Sequence, residues 1–199
     1  MLHRLGPTLW ALALIIANPS LAAESANPTT MPFAAGGAIL LKLNTGDMEI
    51  AGVDADQITV SWRSDRSEGS EAGRVKVRLQ RVGEKEASVL VDGPGDRVQY
   101  RIEVPRRSDV AIHMRAGELK VLGIAGSMDV DLLAGDMELR LSDPRRYRSV
   151  AASVTAGELD AKPWQTDKAG LWRSFKLIGE GDYDLRARLI AGQLTIRAE

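Results

Sequence analysis

The run HMRAGELKVLGIAGSMDVDLLAGDMELR, residues 113–140, repeats one phrase three times. Gly117, Gly126 and Gly135 stand nine residues apart, each followed by a polar residue, Leu or Met, a second polar residue, and Val or Leu. The phrase recurs at Gly46, Gly157, Gly181 and Gly192, which makes seven degenerate copies. A repeat of this kind fixes the architecture before any single residue does.

One copy reads as a turn followed by a short strand, with glycine taking the turn geometry and the two aliphatics facing a core. A fully buried aliphatic contributes about 1.5–3 kcal/mol, too little for a lone strand to offset its ordering entropy. Copies must therefore pack on one another. Gly117, Gly135, Gly157 and Gly181 are spaced by 18, 22 and 24 residues, with Gly126 and Gly192 between or just beyond them. Such spacing suits an all-β solenoid, a stack of short glycine-turn-strand units. It also suits an antiparallel meander or sandwich in which every nine residues make one hairpin arm. The solenoid is favoured because hairpins prefer Asn-Gly or Asp-Gly turns, and Ala-Gly prevails here.

Outward from the repeat, apolar residues keep to period two almost everywhere, as in Val98, Tyr100, Ile102, Val104 and Val110, Ile112, Met114. That alternation marks half-buried strands, and no segment carries a 3.6-residue stripe. Between Gly46 and Gly117, the stretches 74–80, 87–91 and 98–104 alternate without the glycine phrase. They are expected to form hairpins that cover or extend the N-terminal part and shield an open end. The polar stretch 64–74 reads as an exposed loop.

The first 22 residues carry Arg4, an apolar run from Leu9 to Ala17, and then Ser20 and Ala22. This is the pattern of a secretory signal peptide, with cleavage expected after Ala22. Residues 23–37 mix Pro, Ser, Thr, Asn and Gly and read as a flexible leader to a single β-repeat domain over 38–197. Removing residues 1–22 takes away Arg4 and no acid, leaving 25 basic against 27 acidic residues, a net charge of −2. That balance gives no electrostatic case for nucleic acid. The absence of cysteine excludes disulfides and an N-terminal lipid on cysteine. After the first 22 residues no apolar run is long enough to span a bilayer as a helix.

The run YRIEVPRRSDVAIHMRAGELKVLGIAGSMDVDLLAGDMELRL, preceded by LKLNTGDMEIAGVDADQITVSW and followed by GDYDLRARLIAGQLTIR, resembles the bacterial putative-adhesin domain family of unknown function. It is similar, more distantly, to the head-GIN autotransporter-adhesin domains. The resemblance covers about Ala38 to Arg197 and implies an exported, right-handed β-solenoid-like domain without agreed catalytic residues. The chain departs from that pattern in KPWQTDKAGLWRSF, residues 162–175.

Candidate chemistry is sparse. Beyond the signal segment His113 is the only histidine, and it lies opposite the buried face, where an ordinary solvated role is expected. One histidine and no cysteine exclude zinc and Cys–His sites. The acids after the glycines, Asp47, Glu118, Asp136, Glu158 and Asp182, form a column if the copies stack. Such a column could bind calcium or flank a sugar. Lys120 and Arg140 stand among these acids, and a polar turn facing water is the preferred reading. Trp164, Trp172 and Phe175 lie near Lys168, Arg173 and Lys176, and either seal the last part of the core or form a ligand surface. Trp164, Trp172 and Arg173 are the residues of that second reading.

The chain is thus expected to be an exported, non-enzymatic β-repeat protein without a cofactor. It would act as an envelope scaffold or adhesin-like module for an envelope protein or glycan, in the periplasm or at the cell surface. The runner-up is a polysaccharide-active β-helix enzyme working through the acid column. A third reading is an accessory protein of envelope stress or signalling with a specific membrane-protein partner.

Overall fold

A computed structural model describes residues 27–64, 74–95 and 98–199. The expected signal peptide and most of the 64–74 loop lie outside the described residues. Among the described residues there are eleven strands: β1 (Thr29–Pro32), β2 (Ala38–Val53), β3 (Gln57–Ser64), β4 (Lys76–Arg81), β5 (Glu86–Asp92), β6 (Val98–Pro105), β7 (Asp109–Leu122), β8 (Met128–Leu141), β9 (Tyr147–Ala161), β10 (Thr166–Ile178) and β11 (Tyr183–Ala198). They form one large mixed sheet that is not closed into a barrel.

The long strands carry the glycine phrase in their middle, and there the buried positions change parity. In β8 the core residues are Met128, Val130 and Leu132 before Gly135, and Met137, Leu139 and Leu141 after it. In β7 they are Val110, Ile112 and Met114 before Gly117, and Leu119 and Val121 after it. A straight strand sends even and odd residues to opposite faces. Burial of both parities in one cluster requires the strand to fold over at its glycine, giving two arms that enclose a common core.

The folds stack in register. Gly46 pairs with Gly117, Gly117 with Gly135, Gly135 with Gly192, and Gly192 with Gly157, all between parallel strands. Gly135 shows why the residue is required: its φ is +124°, and a Cβ there would lie 2.0 Å from the Gly117 carbonyl oxygen. No side chain fits between strands that close.

Two expectations are corrected by this arrangement, on Gly126 with Gly181 and on the leader, and the order of stacking is a further finding. The strands do not stack in chain order, because β11 inserts between β8 and β9. Gly126 and Gly181 are outside the column, in the turns that lead into β8 and β11, where their missing Cβ atoms admit the Ser108 and Arg146 backbone. Residues 29–32, within the stretch expected to be a flexible leader, form β1 on β3, and Phe33 is buried. Four extended residues are enough there because Phe33 brings an aromatic ring into the core and anchors them.

The interval between the first two glycine copies closes the N-terminal end. The first arm of β2 pairs with β5, which forms an antiparallel hairpin with β4. The second arm pairs with β6, which pairs in turn with β3. The two leaves meet again where the Arg81 guanidinium donates to the Pro32 carbonyl and lies over the Phe33 ring.

Tyr100 of β6 is buried here, and its hydroxyl donates to the Pro94 carbonyl at 3.1 Å. Burial, and after it the Asp92 charge, push its pKa up to about 12. An unfolded tyrosine ionises near 10, so the contribution of the neutral phenol is full below about pH 10 and lost as pH rises through about 12. Thermal melts are expected to hold a constant midpoint from neutrality to about pH 9.5 and to fall between about pH 10 and 12. Tyr100→Phe should make that fall shallower.

Candidate functional site

Four large exposed apolar side chains, Leu133, Ile190, Leu171 and Trp172, lie at the folded corner that the glycines create. The residue two before each column glycine sits at the crest of the fold and points out of the core. Adjacent strands place Asn44, Arg115, Leu133, Ile190, Thr155 and Trp172 in that row, between residue pairs such as Leu132–Leu189 and Ala134–Ala191. Leu133 and Ile190 are each 53 % exposed, Trp172 is 79 % exposed, and Leu171 beside it is 65 % exposed. Ala134 and Ala191 flank them on the same crest. With strands about 4.8 Å apart, the ridge from β8 to β10 is roughly 14 Å long.

Leu133 and Ile190 are functional candidates that the alternation pattern alone does not single out. Their signal is present nonetheless: LLAG and LIAG place two aliphatics in succession before Ala-Gly, which breaks the period-two alternation. In a straight strand the extra aliphatic would be on the wet face, and at the corner it is on the crest.

The post-glycine acids are brought together in part. Asp47, Glu118, Asp136 and Glu158 share one row, with Gln193 between the last two. Asp182 is elsewhere, 3.0 Å from Arg146. The neighbouring row of the same leaf carries Glu49, Lys120 and Glu138, and cations hold the carboxylates individually. Lys120 lies 2.6 Å from Glu118, Arg140 lies 2.8 Å from Glu138, and Arg101 pairs with Glu49. The Arg140 hydrogen bond holds the Glu138 carboxyl below its usual pKa. Among the described residues no group of three or more His, Asp or Glu side chains is arranged to hold a metal ion.

A groove of about 460 Å³ runs over this leaf, lined by Asp47, Glu49, Glu118, Arg63, Arg101 and Lys120. Three acids alternate with three bases, and two of the acids are occupied by neighbours. A second groove of about 650 Å³ crosses the other leaf near the strand starts, with Leu40, Ala111 and Ala151 along its floor. His113 lies on that leaf, exposed, with Nδ1 3.2 Å from an Asp131 oxygen that also accepts from Arg188. Arg148 binds Asp184 with two hydrogen bonds and keeps its carboxyl below the usual range.

The aromatic cluster divides. Trp164 stacks on Phe175 with ring centroids 5.5 Å apart, and both pack against the core. Trp172 does not seal the core. It sits at the crest with φ +55°, a left-handed conformation that a bulky side chain rarely adopts. Arg173 folds back over Gly170, and Lys168 donates to the Ser174 carbonyl at 2.8 Å, tying the two arms of β10 across the corner.

The architecture is that of an all-β protein whose single mixed sheet folds along a glycine corner. No family model and no curated protein matches the sequence. A putative cell adhesion protein from Clostridium sporogenes has a similar fold, with a TM-score of 0.51 at 13% identity over 87% of this chain and 100% of that one. A putative adhesin from Parabacteroides merdae aligns over 87% of this chain and 95% of its own at 9% identity and a TM-score of 0.30. The first likeness is one of fold. Among the described residues no helix is long and apolar enough to cross a membrane.

Proposed function

We propose that this chain is a non-enzymatic exported module that works by binding, adhesin-like in the sense of the family it resembles, with its strands stacked in the manner of a β-solenoid. The observation that carries the reading is the apolar ridge of Leu133, Ile190 and Trp172. A large exposed apolar feature costs solubility and is ordinarily retained for a partner. Such a convex ridge suits an apolar groove on an envelope protein better than it suits a glycan, whose hydroxyls call for polar partners. Of the carboxylates nearby, Glu118, Glu138 and Glu49 are engaged by Lys120, Arg140 and Arg101 respectively. A glycoside-cleaving pair needs two free carboxyls about 5–9.5 Å apart across a sugar.

The test presents immobilised protein to detergent-solubilised envelope proteins and, separately, to envelope polysaccharides with reducing ends measured. Retention of one protein partner without new reducing ends is expected. Release of reducing ends, or repeated failure to retain any partner, would overturn the reading.

A further inference from the structure

The two ends of the sheet are treated differently. At the N-terminal end the edge strands are short, β1 with 4 residues and β4 with 6, and Arg81 joins them through the Pro32 carbonyl. At the other end β10 runs 13 residues, pairs with β9 along one edge, and has no strand on its other edge among the described residues. A long open edge with apolar side chains is a template for another strand. β10 carries Leu171 and Trp172 at its corner and Ile178, 91 % exposed, at its end.

We propose that two copies of this chain join edge to edge through β10, in an antiparallel pair around a two-fold axis at the corner. The axis runs along the bisector of the two arms, so it exchanges first and second arms while reversing the stacking direction. Inner faces then meet inner faces, and the core of one copy continues into the other. The chain already makes such a junction once, because β9 and β10 pair antiparallel with Gly157 opposite Gly170.

Facing and charge select the register. Leu177, Phe175 and Arg173 stand opposite the buried Val150, Ala152 and Val154 of β9, and Lys168 and Thr166 stand opposite Leu159 and Ala161, so these five lie on the inner face. Matching inner face to inner face about the corner leaves two close registers. One sets Lys168 against Arg173 of the other copy, a like-charge pair. The other sets Leu171 against Trp172, Lys168 against Phe175 and Asp167 against Lys176, each twice by symmetry. Directly opposed unlike charges and aromatic pairs stabilise a sheet and like charges weaken it, so the second register is the one formed. The left-handed backbone of Trp172 is the cost of placing its ring at the two-fold axis.

This inference shares Trp172 with the proposed binding ridge but is tested apart from it: association is read through Asp167 and Lys176 with no partner present, while capture of a partner is tested through Leu133 and Ile190. Sedimentation equilibrium on the purified exported chain, with no partner present, from about 1 to about 200 µM is expected to give the mass of two copies at the upper end. Trp172→Gly should weaken association about 30-fold or more, as loss of a central aromatic anchor does. It should not lower the thermal midpoint, because glycine accepts φ +55° freely. Lys176→Glu should weaken association about 10-fold, and the exchange Asp167→Lys with Lys176→Asp should restore it to within about 3-fold. A single-copy mass at every concentration, a dimer indifferent to Trp172→Gly, or failure of the charge exchange to restore association would overturn the proposal.

Discussion

Gly135→Ala is expected to lower the stability of the chain by about 4 kcal/mol or more, read as a shift in the urea midpoint followed by far-ultraviolet circular dichroism. Two costs combine at this position. The backbone at φ +124° strains any L side chain, and the new Cβ would sit 2.0 Å from the Gly117 carbonyl oxygen. Neither neighbour can retreat, because Gly135 lies between Gly117 on one side and Gly192 on the other, each fixed by its own ladder. Gly36 separates the two costs: its φ is +83°, yet a Cβ at that position would meet nothing within 4 Å. Gly36→Ala should cost only about 1 kcal/mol. Equal losses at the two positions would mean that the corner strands do not stack closely.

Truncation on either arm of β8 is expected to shift one and the same unfolding transition. Leu132 precedes the corner and Leu139 follows it, and both are enclosed in the same cluster. Leu132→Ala and Leu139→Ala should each cost about 2–5 kcal/mol, since a buried leucine loses its transfer energy and leaves a cavity. The denaturation curve should remain a single step with an unchanged slope. Were the arms two separate leaves, Leu132→Ala would instead split the curve, with one half of the signal unmoved.

Much of this fold is written locally. Period-two runs such as Val98 to Val104 and Lys76 to Arg81 became strands because alternation states directly which face is dry. The parity change across Gly117 and Gly135 was equally open to reading, and it specifies the folded corner. Stacking order was not. Every copy offers the same glycine, acid and aliphatic to its neighbour, so β11 fits beside β8 as well as β9 does, and nothing local prevents it from entering between them. For the same reason Gly126 and Gly181 share the phrase but serve in turns, since a stretch of five residues does not record whether its glycine opens a strand or bends one.

The candidate site was legible in uneven measure. The acid row could be drawn from the repeat, and four of its five members align, while Asp182 follows Gly181 out of the column. Of that row Glu118 is held by Lys120 two residues along its own strand, as Glu138 of the next row is by Arg140, which the sequence itself shows; the pairing of Arg101 with Glu49 depends on which strands lie side by side. The aromatic cluster split for a backbone reason: Gly170 and the left-handed Trp172 interrupt the alternation, turning Trp172 outward while Phe175 stays against the core. Composition alone assigns the three aromatics together.

The most direct test of the central claim, that this chain acts by binding through its corner ridge, compares capture by the native chain and by the Leu133→Ser, Ile190→Ser double variant. Both residues are exposed and neither belongs to the core cluster, so the variant should keep the native thermal midpoint. The account predicts that the native chain retains an envelope protein and that the variant retains it at least about 10-fold less strongly. Undiminished capture by a folded variant would contradict it.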